Sequence, residues 1–270
     1  MIMARAAAFF DLDKTVIAKS STLAMGRPFY HGGLITRRAV LTSTYAQLVY
    51  LLGGADESQM DRMRAYLQEL SRGWDAQQVK DVVAETLHDI VDPLVYDEAV
   101  TLIEEHHAAG RDVVIVSSSG QEIVEGIGEM VGADLAIGSR AVVVDGKYTG
   151  ELEFYAYGEA KATAIRELAD RAGYDLAECY AYSDSMTDLP MLDVVGHPYV
   201  VNPDKGLRTV AAERGWPVLR FTRPVSLRAR IRALPRQRAV IAGAAVGAAA
   251  LGWAWYSRTH RDRQWWRRPA

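Results

Sequence analysis

The chain has 270 residues, of which 49% are apolar and 24% charged, with a net charge of −3. This length suits one large domain or two modest ones, and the apolar content excludes a disordered chain because it supports a real core. The single cysteine, Cys179, excludes an internal disulfide, and the six histidines show no spacing typical of a zinc site.

The first predicted element is a short buried strand over the apolar run Ala6–Phe10. Asp11, Asp13 and Thr15 follow it as a DxDxT pentapeptide. Carboxylates at the carboxyl end of a strand lie in the crevice where open α/β sheets bind ligands. The alternative is a solvated turn capped by Asp and Thr. The strand lies so close to the start that we expect no signal peptide.

Helical periodicity dominates residues 17–92. Apolar side chains recur at three- and four-residue spacing at Leu41, Tyr45, Leu48 and Leu52. Breaks at Gly53-Gly54 and around Gly73 divide the segment, which predicts three or four helices. We expect an all-helical cap inserted after the first strand.

A second strand is predicted from Asp112 into the hydroxyl-rich turn Ser117-Ser118-Ser-Gly120, with a helix from Gln121. Backbone amides at a helix start suit an anion, phosphate in particular. An ordinary strand-to-helix turn with a serine N-cap is the alternative.

Further strands are predicted on both sides of the next helix. Arg140–Val144 and Tyr148–Phe154 flank Asp145-Gly146, a good hairpin turn. Short strands are expected at Pro198–Val201 and Trp216–Arg220. The alternation of strands and helices predicts an α/β fold with a three-layer, Rossmann-like, mainly parallel sheet.

Lys161 opens a helix that is predicted to run to Ala172. The chain has only six lysines beside twenty-five arginines. A cation at a helix N-terminus opposes the helix dipole, a penalty that is tolerable if the ammonium reaches an anion. A surface lysine is the alternative.

Two more acids follow a third strand, which is predicted around Cys179–Ser183. Asp184 ends this strand and Asp188 follows four residues later. Crowded carboxylates repel one another unless a cation or a proton intervenes. Asp11, Asp184 and Asp188, together with a carbonyl, describe the oxygen-rich site that Mg²⁺ occupies.

Four of these segments, those that carry Asp11, Ser117, Lys161 and Asp184, occur in this order within residues 6–205. Together they resemble the four motifs of the haloacid dehalogenase-like phosphatases. The resemblance is strongest to the subfamily that contains the phosphoserine phosphatases, and within it to an actinobacterial branch. It implies a catalytic core of residues 1–16 and 93–220, with the helical cap of residues 17–92 closing on the crevice.

The resemblance also implies residue roles. Asp11 would be the nucleophile that becomes an aspartyl-phosphate, and Asp13 the general acid and base. Ser117, Ser118 and Lys161 would hold phosphate oxygens. Asp11, the Asp13 carbonyl and Asp184 would bind Mg²⁺, with Thr15 and Asp188 supporting the site.

The segment after the first motif departs from the phosphoserine phosphatases, which carry an acidic residue there to meet the substrate ammonium. This chain reads Val16–Ser21, without an acid, which argues against phosphoserine. Lys19, Arg37 and Arg38 could face an additional anionic group or could be ordinary surface cations. A phosphorylated small molecule and a lipid phosphate both remain open as substrates, and so does transfer to an acceptor other than water.

The tail, residues 221–270, differs sharply in composition. Residues 220–270 carry a net charge of +11, which leaves −14 for residues 1–219. Residues 239–256 are uncharged, and as a helix they would reach about 27 Å, against a hydrocarbon core of about 30 Å. Four of the six tryptophans lie at or beyond the far end, as in an interfacial anchor.

We therefore expect a membrane-associated, Mg²⁺-dependent phosphatase at the cytoplasmic face of the cell membrane. The tail helix could span the bilayer or lie flat on it, and a solvated basic tail is the alternative. The apolar centre disfavours nucleic acid as a partner. Gly243 and Gly247 suit helix pairing, which would allow a homodimer. The alternative function is a non-catalytic sensor of phosphate ligands at the membrane.

Overall fold

A computed structural model describes residues 5–35, 57–227 and 230. Its centre is a seven-stranded sheet with the strand order β4-β3-β2-β1-β5-β6-β7. The strands are β1 (Ala7–Phe10), β2 (Asp112–Gly120), β3 (Leu135–Val144), β4 (Lys147–Phe154), β5 (Tyr180–Ser183), β6 (His197–Val201) and β7 (Val218–Leu219). All neighbouring strands are parallel except β3 and β4. The predicted α/β fold with a mainly parallel sheet is confirmed.

Nine α-helices occur in the described part of the chain. They are α1 (Ser21–Ala24), α2 (Gly26–His31), α3 (Glu57–Ser71), α4 (Ala76–Val91), α5 (Asp97–Ala108), α6 (Gln121–Val131), α7 (Glu159–Ala172), α8 (Leu189–Asp193) and α9 (Lys205–Arg214). Short 3₁₀ turns cover Asp92–Leu94, Leu176–Glu178 and Met186–Asp188. Of residues 17–92, the described helices are α1 to α4, and the periodic stripe at residues 41–52 lies outside the described residues.

The central strands are buried because they read as continuous apolar runs, typical of a parallel sheet covered on both faces. Every residue of β1 is fully buried. Beside it, Val114, Ile165 and Leu207 belong to the same core and are fully buried. The sheet is thus a rigid support for whatever follows β1, β2 and β5.

The cap and core helices meet at a glycine. Helix α4 buries the i, i+4 row Val79, Val83, Leu87 and Val91. Where α4 crosses α6, a Cβ on Gly126 would lie 2.6 Å from Cδ2 of Leu87. The absence of a side chain at Gly126 therefore permits the close approach of the two helices.

The loop between α3 and α4 pairs with the hairpin. The amide of Gly73 donates to the carbonyl of Tyr148 at 2.8 Å, and the amide of Tyr148 donates to the carbonyl of Trp74 at 2.9 Å. The amide of Ala76 donates to Gly146, in the predicted Asp145-Gly146 turn, at 2.9 Å. The cap is thereby tied to the outer edge of the sheet.

Cys179 precedes β5 rather than lying within it, so the strand predicted there starts too early. Its amide donates to the carbonyl of Leu176 at 3.2 Å and closes a 3₁₀ turn, so only its carbonyl reaches the sheet, where it accepts from the amide of His197 at 3.0 Å. The thiol is fully buried and accepts a 3.3 Å hydrogen bond from the amide of Ala7. It is a core residue, as predicted.

The compact unit that contains the sheet extends to Ser226. Phe221 is buried in this unit, and Pro224 pairs with Tyr96. Within the described residues, no helix is both long and apolar enough to cross a bilayer. The hydrophobic helix predicted over residues 239–256 lies outside the described residues.

Candidate active site

The carboxyl ends of β1, β2 and β5 bring most of the predicted site residues together. Asp11 follows β1, Ser117 lies near the end of β2, and Asp184 follows β5. The amide of Asp11 donates to the carbonyl of Tyr182 at 2.9 Å, which fixes the end of β1 against β5. Because the strands are parallel neighbours, their ends share one crevice.

Lys161 lies in the first turn of α7 and connects two carboxylates. Its Nζ donates to Oδ1 of Asp11 at 2.7 Å and to the carboxylate of Asp188 at 2.9 Å. All three side chains are buried. Burial by itself would lower the pKa of Lys161, but the two carboxylates raise it above its ordinary value. The lysine is therefore a fixed cation, aimed at the site as its position at the helix start suggested.

The site contains more buried negative charge than Lys161 balances. Burial raises the pKa of Asp11, assisted by Asp188 and opposed by the ammonium of Lys161. Burial likewise raises the pKa of Asp184 to about 7, with Asp188 and Asp204 adding to the shift and Lys14 opposing it. One lysine thus faces three buried carboxylates, an arrangement that favours a further cation.

The donor set fits Mg²⁺ in chemical type. In the part of the chain that the structure describes, no group of three acidic, histidine or cysteine side chains is arranged as a metal site. The predicted set, however, has only two carboxylates, those of Asp11 and Asp184, with the carbonyl of Asp13. Hard oxygen donors with surplus negative charge suit Mg²⁺, which retains several waters.

Asp13 lies just before the cap segment and contacts its first helix. Its Oδ1 accepts a 2.8 Å hydrogen bond from the amide of Ser21, the first residue of α1. Burial raises the pKa of Asp13, although hydrogen bonds from Ser21 and Ser20 oppose the shift. A carboxyl with a raised pKa holds a proton more readily, which suits a general acid.

The turn between Asp13 and the cap is tight. Lys14 adopts a left-handed conformation with φ of 62°. The amides of Val16 and Ile17 both donate to the carbonyl of Leu12, at 2.9 and 3.0 Å. Thr15 is fully buried, and its hydroxyl makes no hydrogen bond to any described residue. Since the bonds from Val16 and Ile17 to Leu12 enclose Thr15, this residue is an interior part of the turn that carries Asp13.

The two predicted serines differ in environment. Ser117 is buried, and its hydroxyl accepts a 3.2 Å hydrogen bond from the amide of Ser119. Ser118 is exposed, and its carbonyl accepts a 2.7 Å hydrogen bond from the hydroxyl of Ser139. The same Ser139 hydroxyl accepts from the amide of Ala156 at 3.2 Å. Ser139 thus joins the last residues of β2 to the loop that leads to Lys161.

Four polar residues at the site were missed by sequence reasoning. The hydroxyl of Ser183 donates to Asp188 at 2.7 Å. The hydroxyl of Ser119 lies 2.7 Å from that of Ser21 and 3.2 Å from that of Thr22. Ser183 could have been found, because it precedes Asp184 directly. Ser119 lies 98 and 97 residues from Ser21 and Thr22, and no local pattern connects it to them.

Carboxylates and hydroxyls at the ends of three adjacent parallel strands, with a buried lysine from α7, form a site suited to hydrolysis of an anionic substrate. The sequence model of the family of haloacid dehalogenase-like hydrolases matches residues 8–193 of the chain. The chain belongs to this family.

Three relatives illustrate the range of similarity. A Streptomyces azureus protein named for inhibition of morphological differentiation is 63% identical, over 95% of each chain. A probable phosphatase of Mycobacterium tuberculosis is 62% identical, over 92% of this chain and 86% of its own. A phosphoserine phosphatase of the same organism is 36% identical, over 80% of this chain and 71% of its own.

Proposed function

We propose that this phosphoric monoester hydrolase acts through an aspartyl-phosphate on Asp11. The observation that carries the proposal is the position of Lys161, whose Nζ is 2.7 Å from Oδ1 of Asp11 and 2.9 Å from the carboxylate of Asp188. An anionic nucleophile must approach an anionic phosphoryl group, so a fixed cation is needed to offset their repulsion. A covalent intermediate divides the hydrolysis into two easier displacements.

Asp13 would serve as general acid and then as general base. Its raised pKa favours the protonated form that the first displacement needs, in which the carboxyl gives a proton to the leaving oxygen. The resulting carboxylate would take a proton from the water that hydrolyses the intermediate. The amide of Ser21 would hold the carboxyl in one orientation through both steps.

Ser117, Ser118 and Lys161 would bind the phosphate oxygens. Ser117 is buried at the end of β2, and the turn that follows it leads directly into α6. Hydroxyl and amide donors at this position suit the equatorial oxygens of a phosphoryl group. Asp188 and Thr15 would support the site, Asp188 by its contact with Lys161.

Asp11, the carbonyl of Asp13 and Asp184 would hold Mg²⁺. The ion would supply positive charge to the phosphoryl oxygens when bound. The surplus of buried carboxylate over lysine is what supports its presence.

The test is phosphate release from p-nitrophenyl phosphate, with and without Mg²⁺, by the wild type and by Asp11→Asn. An asparagine retains the size of the side chain but cannot attack, so we expect Mg²⁺-dependent release in the wild type and none in the variant. Equal release by both proteins would refute Asp11 as the nucleophile. A cooperative unfolding transition and an unchanged circular dichroism spectrum of the variant serve as the folding control, since loss of a buried charge is itself expected to change the thermal stability.

Attachment to the inner face of the cell membrane is a separate proposal that rests on the sequence of residues 239–256 and their flanking arginines. It would bring either a soluble metabolite phosphatase or a lipid-phosphate phosphatase to the membrane. Co-sedimentation of the full chain with anionic vesicles, compared with a Leu251→Arg variant, tests it. Equal recovery of both in the supernatant would reject it.

A further inference from the structure

Three hydroxyl groups form a cluster beside Asp13. The hydroxyl of Ser119, near the end of β2, lies 2.7 Å from the hydroxyl of Ser21 and 3.2 Å from that of Thr22, both in α1. Ser21 and Ser119 are buried and Thr22 is partly exposed. The amide of Ser21 also binds Asp13, so the cluster adjoins the group that would protonate the leaving oxygen.

The cluster has spare hydrogen-bonding capacity. Each hydroxyl has one proton to donate and two lone pairs that accept. The hydroxyl of Ser21 also hydrogen-bonds Asp13, so this contact and the two contacts within the cluster use all three protons and leave lone pairs for another partner. A substrate hydroxyl next to the phosphate could donate to them.

The described chain that leads from Asp13 into the cap has no acid. Residues 14–35 contain no Asp or Glu but three cations, Lys14, Lys19 and Arg27, all of them exposed. The net charge of these residues is +3, while the other residues of 1–219 sum to −17.

The carboxylates of the site are already assigned. Asp11 and Asp188 bind Lys161, Asp13 accepts from the amide of Ser21, and Asp184 would bind Mg²⁺. An ammonium group held beside the phosphate would lose its hydration without gaining a carboxylate from residues 14–35. Burying an unpaired charge is costly, so the segment selects against such a group.

From this cluster and this charge distribution we propose that the substrate carries a hydroxyl, and no ammonium, next to its phosphoester, and that Ser21, Thr22 and Ser119 bind that hydroxyl. The proposal rests on the proposed phosphatase function. The proposal distinguishes this chain from an enzyme specific for phosphoserine, although one of its relatives is named a phosphoserine phosphatase.

Two matched compounds test the proposal. O-Phosphoserine and 3-phosphoglycerate share a carbon skeleton and differ by an ammonium in place of a hydroxyl. Each is measured as a competitive inhibitor of p-nitrophenyl phosphate hydrolysis by the full chain with Mg²⁺. We expect 3-phosphoglycerate to bind at least about tenfold more tightly. Equal or tighter binding of phosphoserine, or no inhibition by either compound, would overturn the proposal.

A charge placed at Ser20 provides a second test, since its hydroxyl is close enough to Asp13 to influence it. Ser20→Glu should shift the inhibition ratio toward phosphoserine by about tenfold relative to Ser20→Gln, which has the same size without the charge. An unchanged ratio would count against the proposal.

The two hypotheses fail in different ways. If the wild type releases no more phosphate from p-nitrophenyl phosphate than Asp11→Asn does, the phosphatase mechanism fails. If release depends on Asp11 but phosphoserine is the tighter ligand, only the specificity proposal fails.

Thr22→Val tests the role of Thr22 itself. It should lower kcat/KM for 3-phosphoglycerate more than for p-nitrophenyl phosphate, which has no hydroxyl beside its phosphoester. An equal decrease for the two substrates would contradict the role of Thr22.

Discussion

Ser21 donates its backbone amide to Oδ1 of Asp13 at 2.8 Å, which joins the first helix of the cap to the second carboxylate of the site. Because the donor is the main chain, any side chain with an acceptor oxygen at position 13 can retain the contact. A substitution at Asp13 can therefore remove proton transfer while it retains the hydrogen bond from Ser21.

Asp13→Asn should fold normally and lose activity. The asparagine oxygen still accepts from Ser21, but the amide cannot give up a proton to the leaving oxygen. General acid catalysis contributes about 10²- to 10⁴-fold, so the loss should be in this range for an alkyl phosphate. It should be smaller for p-nitrophenyl phosphate, whose leaving group needs little protonation. Equal losses for both substrates would contradict the assignment.

Lys161→Met should destabilise the fold. Removal of the cation leaves Asp11, Asp184 and Asp188 buried together, and removal of one partner of a buried ion pair costs about 3–5 kcal/mol. Urea unfolding in the presence of a chelator measures the change in free energy. The double variant Lys161→Met with Asp188→Asn should recover part of the stability. If the double variant is as unstable as the two single changes together, the residues do not act as a pair.

Gly138→Ala should disturb the junction between the end of β2, which carries Ser117, and α6. A Cβ on Gly138 would lie 2.7 Å from the Cα of Gln121, the first residue of α6, so the backbone there must shift. We expect a higher KM for p-nitrophenyl phosphate and a lower kcat. Gly128→Ala is the matched control, since its Cβ would meet Ala136 at 3.4 Å, an ordinary contact. Equal activity of the two variants would exclude this close approach as a constraint.

His106 should make the protein sensitive to acid. Its Nδ1 accepts from Nε of Arg111 at 2.7 Å, which leaves the ring proton on Nε2, 2.9 Å from the hydroxyl of Tyr182. Burial, with the charge of Arg111, lowers the pKa of His106 to about 4. Between about pH 6.5 and 4 the unfolded chain therefore binds more protons than the folded one, and stability falls as the pH falls.

The measurement is the free energy of unfolding as a function of pH for the wild type and His106→Phe. The phenyl ring can occupy the same space beside Phe10 and Tyr180 but cannot titrate. We expect the variant to be less stable at pH 7, because Arg111 loses an acceptor, and to have a shallower slope from pH 6.5 to 4. Parallel curves would exclude His106 as the titrating group.

Short-range signals predicted the part of the site that follows from single strands. Asp11, Ser117 and Asp184 could be placed because each follows or ends an apolar run, and parallel strands bring their ends together. The Asp145-Gly146 turn predicted the hairpin for a similarly local reason. Lys161 was identified by its unfavourable position at a helix start, a conflict that its contacts with two carboxylates explain.

Long-range pairings between small polar residues could not be predicted. The Ser21–Ser119 contact joins residues 98 positions apart, and both ends are serines of ordinary context. The contact between His106 and Tyr182 has the same character, since its partners lie on different elements 76 positions apart. Such contacts depend on how the cap helices and α5 settle on the sheet, which hydrophobic periodicity does not specify.

The pairing of Gly73 and Trp74 with Tyr148 has a consequence for solubility. Strand β4 is the outer strand of the sheet on this side, and an outer strand with free amides and carbonyls is a template for association with another chain. At Tyr148 both outward backbone groups are already bonded, to Gly73 and Trp74. The cap therefore also protects the sheet against edge-to-edge aggregation at this point.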